Sequence, residues 1–174
     1  MPNLLLDQRP APLPRRVAPI HHETVANYIR RLARANHLDH HRLLSYLCSR
    51  PRGGAETLVI PERLAAAAGL DLDLLIQRLH GLHPKQHGHT ARAFVRPACR
   101  HCMARHGILE PVPCRLPPQL RVCPRHQLWI GPQVHHHADQ LDVAPLPEIL
   151  RTQRRHHRLR RRDPLLVDTA YQHA

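Results

Sequence analysis

Four residues in the second half of the sequence have the types and the spacing of metal ligands. Cys99 and Cys102 form a Cys-x-x-Cys pair, and Cys123 and His126 form a Cys-x-x-His pair after twenty intervening residues. Two residues between the members of a pair let both side chains turn toward one ion, and three thiolates with one imidazole complete a tetrahedral zinc shell. A shell without a vacant position indicates a structural metal, which can contribute on the order of 10 kcal/mol to folding. The sequence therefore predicts one structural Zn²⁺.

Other cysteines and histidines lie near these four in the sequence. Cys114, His101 and His106 are close enough to replace one of the ligands. Cys114 lies in the intervening segment without a paired cysteine, which favours a packed or free thiol outside the metal shell. The triple histidine 135–137 could bind a metal adventitiously, although a solvated polar loop is the commoner structure for such a run. In a reducing compartment, five cysteines do not form a disulfide framework.

The same residues do not indicate an enzyme. Catalysis at this site would need an open metal position, or a nucleophile activated by a neighbouring base. A zinc deaminase has His-x-Glu ahead of Pro-Cys-x-x-Cys, whereas here the His-x-Glu of residues 21–23 lies far upstream of Pro97 and Cys99. The sequence also has no phosphate-binding loop of the GxxxxGK[ST] type. We expect no catalytic residues.

The chain is strongly basic. Its 26 Lys and Arg residues against 13 Asp and Glu residues give a formal charge of +13, before any of the 18 histidines is protonated. Such an excess predicts a polyanionic partner. Lys85 is the single lysine, which indicates GC-rich coding and weakens the arginine count as evidence for nucleic-acid binding, but codon bias does not create the net charge.

The elements that must position the ligands are predicted to be mainly α-helical. Leucine and alanine dominate the apolar residues and only 3% of residues are aromatic, which favours helices over a β-sandwich. Helical spacing and stop signals predict helices over 23–38, from Asp39 to before Pro51, over 62–68, over 71–80 and over about 148–162. Asp39 is the expected N-cap of the second helix.

Shifts in composition predict four segments in this mainly α fold. They are a proline- and arginine-rich leader (1–20), a small helical N-terminal region (21–95), a Cys3His zinc-finger region (96–138) and a basic C-terminal helix with its tail (139–174). The leader should be a docking strand or a loose arm, and residues 83–93 should form a polar connector.

The helices on either side of Gly69 have the spacing of a helix-turn-helix. Ala65, Gly69 and Leu75 occupy the positions where that motif has a small residue, a turn glycine and an apolar contact. Asp71 and Asp73, however, lie at the start of the second helix, which is the end that would meet DNA. Their negative charge opposes contact with the bases in a DNA groove. The pattern therefore favours a helix-turn-helix-like hairpin in the core.

Two blocks of sequence together resemble the TniQ family of transposition proteins, which includes TnsD. The first block runs from Leu13 to Leu38, where Glu-Thr opens a helix that contains the pattern Leu-Ala-x-x-Asn. The second block contains the Cys-x-x-Cys pair, the sequence Val-Cys-Pro-Arg-His and Trp129. The resemblance covers about residues 13–165. It implies a helical protein with an embedded zinc finger that helps choose where a transposon inserts. Family members bind target DNA or a DNA-bound RNA-guided complex, and they recruit a AAA+ ATPase.

The resemblance also assigns roles to individual residues. Cys99, Cys102, Cys123 and His126 match the zinc ligands of the family. Glu23, Asn27, Leu32 and Asn36 match its N-terminal signature, where we expect structural roles. Family members often have a second Cys-x-x-Cys pair soon after the Cys-Pro-x-His, and its absence from this sequence implies one zinc ion rather than two.

The basic C-terminal helix is the predicted DNA contact. Its seven arginines should spread charge around the helix surface and contact the phosphate backbone of duplex DNA; they are Arg151, Arg154, Arg155, Arg158, Arg160, Arg161 and Arg162. The sequence thus predicts a zinc-stabilised, TniQ-like adaptor in target-site selection or recruitment, which could form a homodimer. The alternative is a zinc-dependent protein-interaction or transcription-regulatory module without direct DNA contact. Salt-dependent duplex binding separates the two.

The sequence does not indicate a membrane protein. No window approaches the roughly 18 consecutive apolar residues of a spanning helix, and residues 1–6 are too short for an export signal. We therefore expect a cytoplasmic protein with no membrane partner.

Overall fold

The chain contains two compact units, each with helices and short strands. The computed structural model describes residues 11–49, 58–82 and 94–163, and the units are Met1–Gln86 and His87–Ala174, here the N-terminal and C-terminal units. The expectation of a mainly helical fold is wrong, because both units contain paired strands and the chain is a mixture of α and β structure.

Short strands directly adjoin most of the helices of the N-terminal unit. In chain order, its described elements are β1 (Glu23–Thr24), α1 (Val25–Ala35), α2 (His40–Leu47), β2 (Cys48–Ser49), β3 (Leu58–Val59), α3 (Pro61–Ala68), α4 (Leu72–Arg78) and β4 (Leu79–His80). β1 pairs with β4 in parallel, and β2 pairs with β3 antiparallel. Each strand is two residues long, so none can show the alternating pattern by which strands are predicted.

The four predicted helices of this unit are confirmed, and three of them begin at a capping side chain. Thr24, Asp39 and Asp71 each accept a hydrogen bond from the backbone N–H three residues later, at the start of α1, α2 and α4. These caps satisfy N–H groups that have no partner inside the helix. Asp39 therefore has the capping role expected from the sequence.

One apolar cluster holds the helices of the N-terminal unit together. α1 contributes Tyr28, Ile29 and Leu32, all fully buried, and the cluster extends to Leu64 of α3 and Leu75 of α4. Hydrogen bonds attach the described part of the leader to this unit. The Tyr28 hydroxyl donates to the Val17 carbonyl over 2.9 Å, and the Leu13 N–H donates to the Ala67 carbonyl over 2.8 Å. Residues 11–20 are thus docked, and the rest of the leader lies outside the described residues.

The predicted hairpin is formed by α3 and α4 around Gly69. The φ angle of Gly69 is 62°, in the left-handed region, and a Cβ there would lie 3.2 Å from both Arg16 Nε and Pro12 Cβ. A side chain at this turn would therefore be strained, which favours glycine. Leu75 is buried, whereas Asp73 is exposed on α4. The connector predicted over 83–93 lies outside the described residues.

The C-terminal unit contains a short antiparallel pair, an irregular segment and one long helix. Its described elements are β5 (Phe94–Pro97), α5 (Arg100–Ala104), β6 (Pro113–Leu116), a 3-10 helix (His137–Asp139) and α6 (Pro147–Arg162). β5 pairs with β6 from Phe94 opposite Leu116 to Pro97 opposite Pro113. The predicted basic helix is confirmed as α6. Within the described segments, no helix has the length and apolar character needed to cross a membrane.

Candidate metal centre

The first ligand pair lies at the start of α5. Cys99 is the N-cap residue of this helix and Cys102 lies inside it, and the Met103 N–H donates to the Cys99 carbonyl over 3.0 Å. Residues three apart in a helical turn point to the same side. The two-residue spacer therefore places both thiols toward one point.

The second ligand pair lies in a tight turn. The Cys123 N–H donates to the Leu128 carbonyl over 2.9 Å, and the Gln127 N–H donates to the Cys123 carbonyl over 2.8 Å. Gln127 has a φ of 53°, and an antiparallel bridge between Val122 and Trp129 closes the base of the turn. The turn aims the side chains of Cys123 and His126 toward the pair on α5.

The four predicted ligands form one cluster. Their ligand atoms all lie within 4.8 Å of one another. His126 Nδ1 lies 3.5 Å from Cys99 Sγ, 3.3 Å from Cys102 Sγ and 3.7 Å from Cys123 Sγ, and the Cys102 and Cys123 sulfurs are 3.7 Å apart. Cys99 and Cys123 are buried, and the other two are half-buried. The cluster can bind a metal ion.

The electrostatics of the cluster favour a bound cation. A hydrogen bond from the Cys99 thiol lowers the pKa of Cys123 to about 4. The same hydrogen bond, together with burial, raises the pKa of Cys99 above its usual range, and burial followed by the charge of Cys123 raises the pKa of Cys102. The pKa shifts run in opposite directions because one ionised thiol in the cluster opposes the ionisation of its neighbours. A metal ion is what would stabilise three thiolates this close together.

Gln140 supports the first ligand pair from a distant part of the chain. Its side chain is buried, and its amide donates to the Ala98 carbonyl over 2.9 Å and accepts from the Arg100 N–H over 2.8 Å. These two groups flank Cys99 on either side. The Arg100 guanidinium in turn donates to the carbonyls of Gln140 and His137. No motif could identify Gln140, because its partners lie about forty residues earlier in the sequence.

The alternative ligands lie outside the cluster. Within the described residues, the grouping of potential metal ligands contains none of His101, His106 and Cys114. His101 and His106 are exposed, and Cys114 is buried in β6. His135 and His136 are exposed, and their backbone N–H groups both donate to an Asp139 carboxylate oxygen, which lowers the pKa of Asp139. The triple histidine is thus part of a hydrogen-bonded polar turn.

The predicted DNA-contacting arginines all lie in α6, but they are not spread around it. At about 100° per residue, six of them fall within a sector of about 120°. We call this surface the arginine stripe: Arg151, Arg154, Arg155, Arg158, Arg161 and Arg162, all of them exposed. Arg160 is half-buried and lies on the opposite side of the helix. Arg151 forms an exposed ion pair of 2.6 Å with Glu148.

Gln153 attaches α6 to the segment that leads into the second ligand pair. Its side-chain oxygen accepts from the N–H groups of Arg121 (3.0 Å) and Val122 (3.2 Å), and its amide donates to the Gln119 carbonyl over 3.0 Å. Val122 directly precedes Cys123. The basic helix is therefore fixed next to the turn of Cys123 and His126 by Gln153, a residue that no sequence motif identifies.

Comparisons of the chain with models of protein families, with curated proteins and with solved structures find no match. The resemblance to the TniQ family thus stays a prediction from the two sequence blocks. What the structure establishes is a cluster that can bind a metal and an exposed basic helix beside it.

Proposed function

We propose that the chain is a zinc-stabilised adaptor in DNA transposition, of the TniQ type, that contacts the phosphate backbone of duplex DNA. In this proposal it acts in target-site selection or recruitment, and its protein partner is a AAA+ ATPase of the transposition machinery. The observation that carries the proposal is the Cys3His cluster with the arginine stripe attached beside it. The proposal assigns no catalytic residue.

The chemistry of the cluster supports zinc as the metal. Bonds of about 2.3 Å to sulfur and 2.0–2.1 Å to nitrogen place the ligand atoms of a tetrahedral zinc site about 3.5–3.8 Å apart. Four of the six separations between ligand atoms, at 3.3–3.7 Å, are close to these values. Thiolates select zinc over harder divalent ions, and four protein ligands leave no position for a reacting water. A structural role for one zinc ion follows.

The arginine stripe supports contact with a phosphate backbone. Its guanidinium groups project from one face over about 16 Å of helix, at a rise of about 1.5 Å per residue. Exposed arginines on a single face can contact several phosphates of one duplex groove edge at once. If about six phosphates are neutralised, affinity should fall about a thousandfold or more between 50 and 200 mM salt.

The contacts of the family-like N-terminal residues agree with structural roles. Glu23 is fully buried, and its carboxylate accepts from Asn27 Nδ2 and from the Arg31 guanidinium, each over 2.7 Å. The Asn36 amide donates to the Arg15 carbonyl and accepts from the Arg15 N–H. These side chains hold the leader against α1, so the TniQ-like signature describes a scaffold rather than a ligand site.

Metal content and duplex binding together test this proposal. Mass spectrometry of the purified full chain should find one zinc ion per chain, and the double variant Cys99→Ala, Cys123→Ala should contain none. Cys48→Ala is the matched control, because Cys48 is buried outside the cluster, and it should retain the zinc. Duplex binding by the wild-type chain should weaken steeply with salt.

The outcomes separate the proposal from its alternative. Zinc with no duplex binding at low salt would reject the DNA contact and favour a zinc-dependent protein-interaction module. A chain that purifies with no metal, or with zinc that survives removal of both cysteines, would reject the zinc-stabilised adaptor. Co-elution of the chain with a AAA+ transposition ATPase tests the recruitment step separately.

A further inference from the structure

One flank of the basic helix forms a groove with the loop that carries the second ligand pair. Its volume is about 320 Å³, and both walls belong to the C-terminal unit. Arg154, His157, Arg158 and Arg161 of α6 line one side, and Leu120 and Pro124 line the other. Leu120 is half-buried, and the remaining five side chains are exposed.

The groove combines an apolar wall with a basic rim. Most of its surface is apolar although three arginines line it, which is expected where the methylene stems of arginine lie along the wall and the guanidinium groups reach the edge. None of the described lining residues is acidic. The volume is at the low end of the range of ligand pockets, which runs from about 300 to 1,000 Å³. A large apolar side chain with carboxylates on either side has the complementary shape and charge.

Nucleic acid is a poorer match for the interior of this groove. A duplex backbone has phosphates for the rim but no large apolar group for the wall. A nucleobase would need hydrogen-bonding partners for its edge, and the amide of Gln153, which also lines the groove, already uses its oxygen and nitrogen to hold α6 in place. Hydrogen bonds to an extruded base could then come only from the arginines and His157 of α6, because the side chains of Leu120 and Pro124 offer none.

We propose that this groove binds an acidic segment of a partner protein that inserts one tryptophan, phenylalanine or leucine side chain. The inserted side chain packs against Leu120, Pro124 and the arginine stems, and the flanking carboxylates pair with Arg154, Arg158 and Arg161. An aromatic side chain gains further from stacking on a guanidinium plane. The proposal does not depend on DNA binding, although a duplex on the arginine stripe would compete for the same three arginines.

Two designed comparisons test the proposal on the metal-loaded full chain. The probe is a short fluorescein-labelled peptide of glutamates with one central tryptophan. The control peptide has serine in place of the tryptophan. Fluorescence anisotropy should show that the tryptophan peptide binds at least about tenfold more tightly than the serine peptide does. The serine peptide cannot bury a large apolar side chain in the groove.

The second comparison uses two double variants of α6 that remove the same charge. Arg154→Ser with Arg158→Ser alters the groove, whereas Arg155→Ser with Arg162→Ser removes two arginines that do not line it. We expect the groove variant to bind the tryptophan peptide about tenfold more weakly than the control variant does. Metal content and Trp129 emission should match the wild type in both.

Three results would overturn the proposal. Equal affinity for the two peptides would show that no side chain enters the groove. Equal losses of peptide affinity in the two double variants would show that the peptide binds by general charge attraction. Binding of a single-stranded oligonucleotide that depends on Arg154 and Arg158, with no discrimination between the peptides, would assign the groove to nucleic acid instead. If the groove variant failed to fold, the peptide comparison on the wild-type chain would still decide.

Discussion

Gln140 illustrates how a single buried amide can define the geometry of a metal site. Only 2% of it is exposed, and its side chain bonds to the peptide groups on both sides of Cys99. Because both the donor and the acceptor of the amide are used, the backbone of the first ligand pair has one preferred position before the metal binds. Removal of a group that orients metal ligands in this way typically lowers the affinity for the metal by about 10–100-fold.

We therefore expect Gln140→Ala to lower the affinity for Zn²⁺ by about 10–100-fold. Competition against a chromophoric chelator measures this directly. Gln77→Ala is the control, since Gln77 is exposed on α4 of the N-terminal unit. Wild-type affinity in Gln140→Ala would mean that the metal alone organises the site, and that the hydrogen bonds of Gln140 are incidental.

The residues that could be predicted from the sequence are those whose partners are near in the chain. The four predicted metal ligands occur as two close pairs, and Glu23 and Asn27, which contact each other across the start of α1, are only four residues apart. Gln140 and Gln153 bond to residues more than thirty positions away. A solitary glutamine in a polar stretch has no local pattern that would reveal such a contact.

At the scale of elements, α6 is unusual because no residue of it is buried. Ile149 and Leu150 are only half-buried, so the apolar surface that holds the helix against the unit is small. The three hydrogen bonds of Gln153 therefore carry much of the attachment. Each is worth about 0.5–1.5 kcal/mol net.

Gln153→Ala should release α6 from the metal-binding turn. Hydrogen exchange at the Arg121 and Val122 amides, which donate to Gln153, should become about tenfold faster or more, with the zinc retained. Thr152→Ala is the matched control on the same helix, because Thr152 is exposed. Unchanged exchange in Gln153→Ala would indicate that packing of Ile149 and Leu150 is sufficient to hold the helix.

The helices were predictable and the strands were not, for a physical reason. α1 shows a full helical period of apolar residues with a capping threonine, and α6 begins at Pro147, which suits the first helical turn. β2 and β4 are the last residues of helical patterns, and their backbone is extended where each pairs with another strand. Pairing of this kind is a tertiary effect and leaves no periodicity in the sequence.

At the scale of the whole molecule, the two units differ in what stabilises them. The apolar cluster of the N-terminal unit includes Tyr28, Ile29 and five fully or almost fully buried leucines: Leu32, Leu47, Leu64, Leu75 and Leu79. The described buried side chains of the C-terminal unit are mostly smaller, with valines at 112, 122, 134 and 143 and no buried aromatic ring. Because the C-terminal unit buries fewer large apolar side chains, we expect it to depend more on a metal bound at the cluster.

Removal of the metal should therefore unfold the C-terminal unit and leave the N-terminal unit folded. Emission of Trp129, the single tryptophan, reports on the C-terminal unit. Far-ultraviolet circular dichroism of the remaining helices reports on the N-terminal unit. A chelator should shift Trp129 emission to the red while much of the helical signal persists, and acid should do the same, because protons displace the metal from thiolates as the pH falls. The variant Cys99→Ala, Cys123→Ala should show no response to chelator. Loss of both signals in one transition would contradict independent stabilisation of the two units.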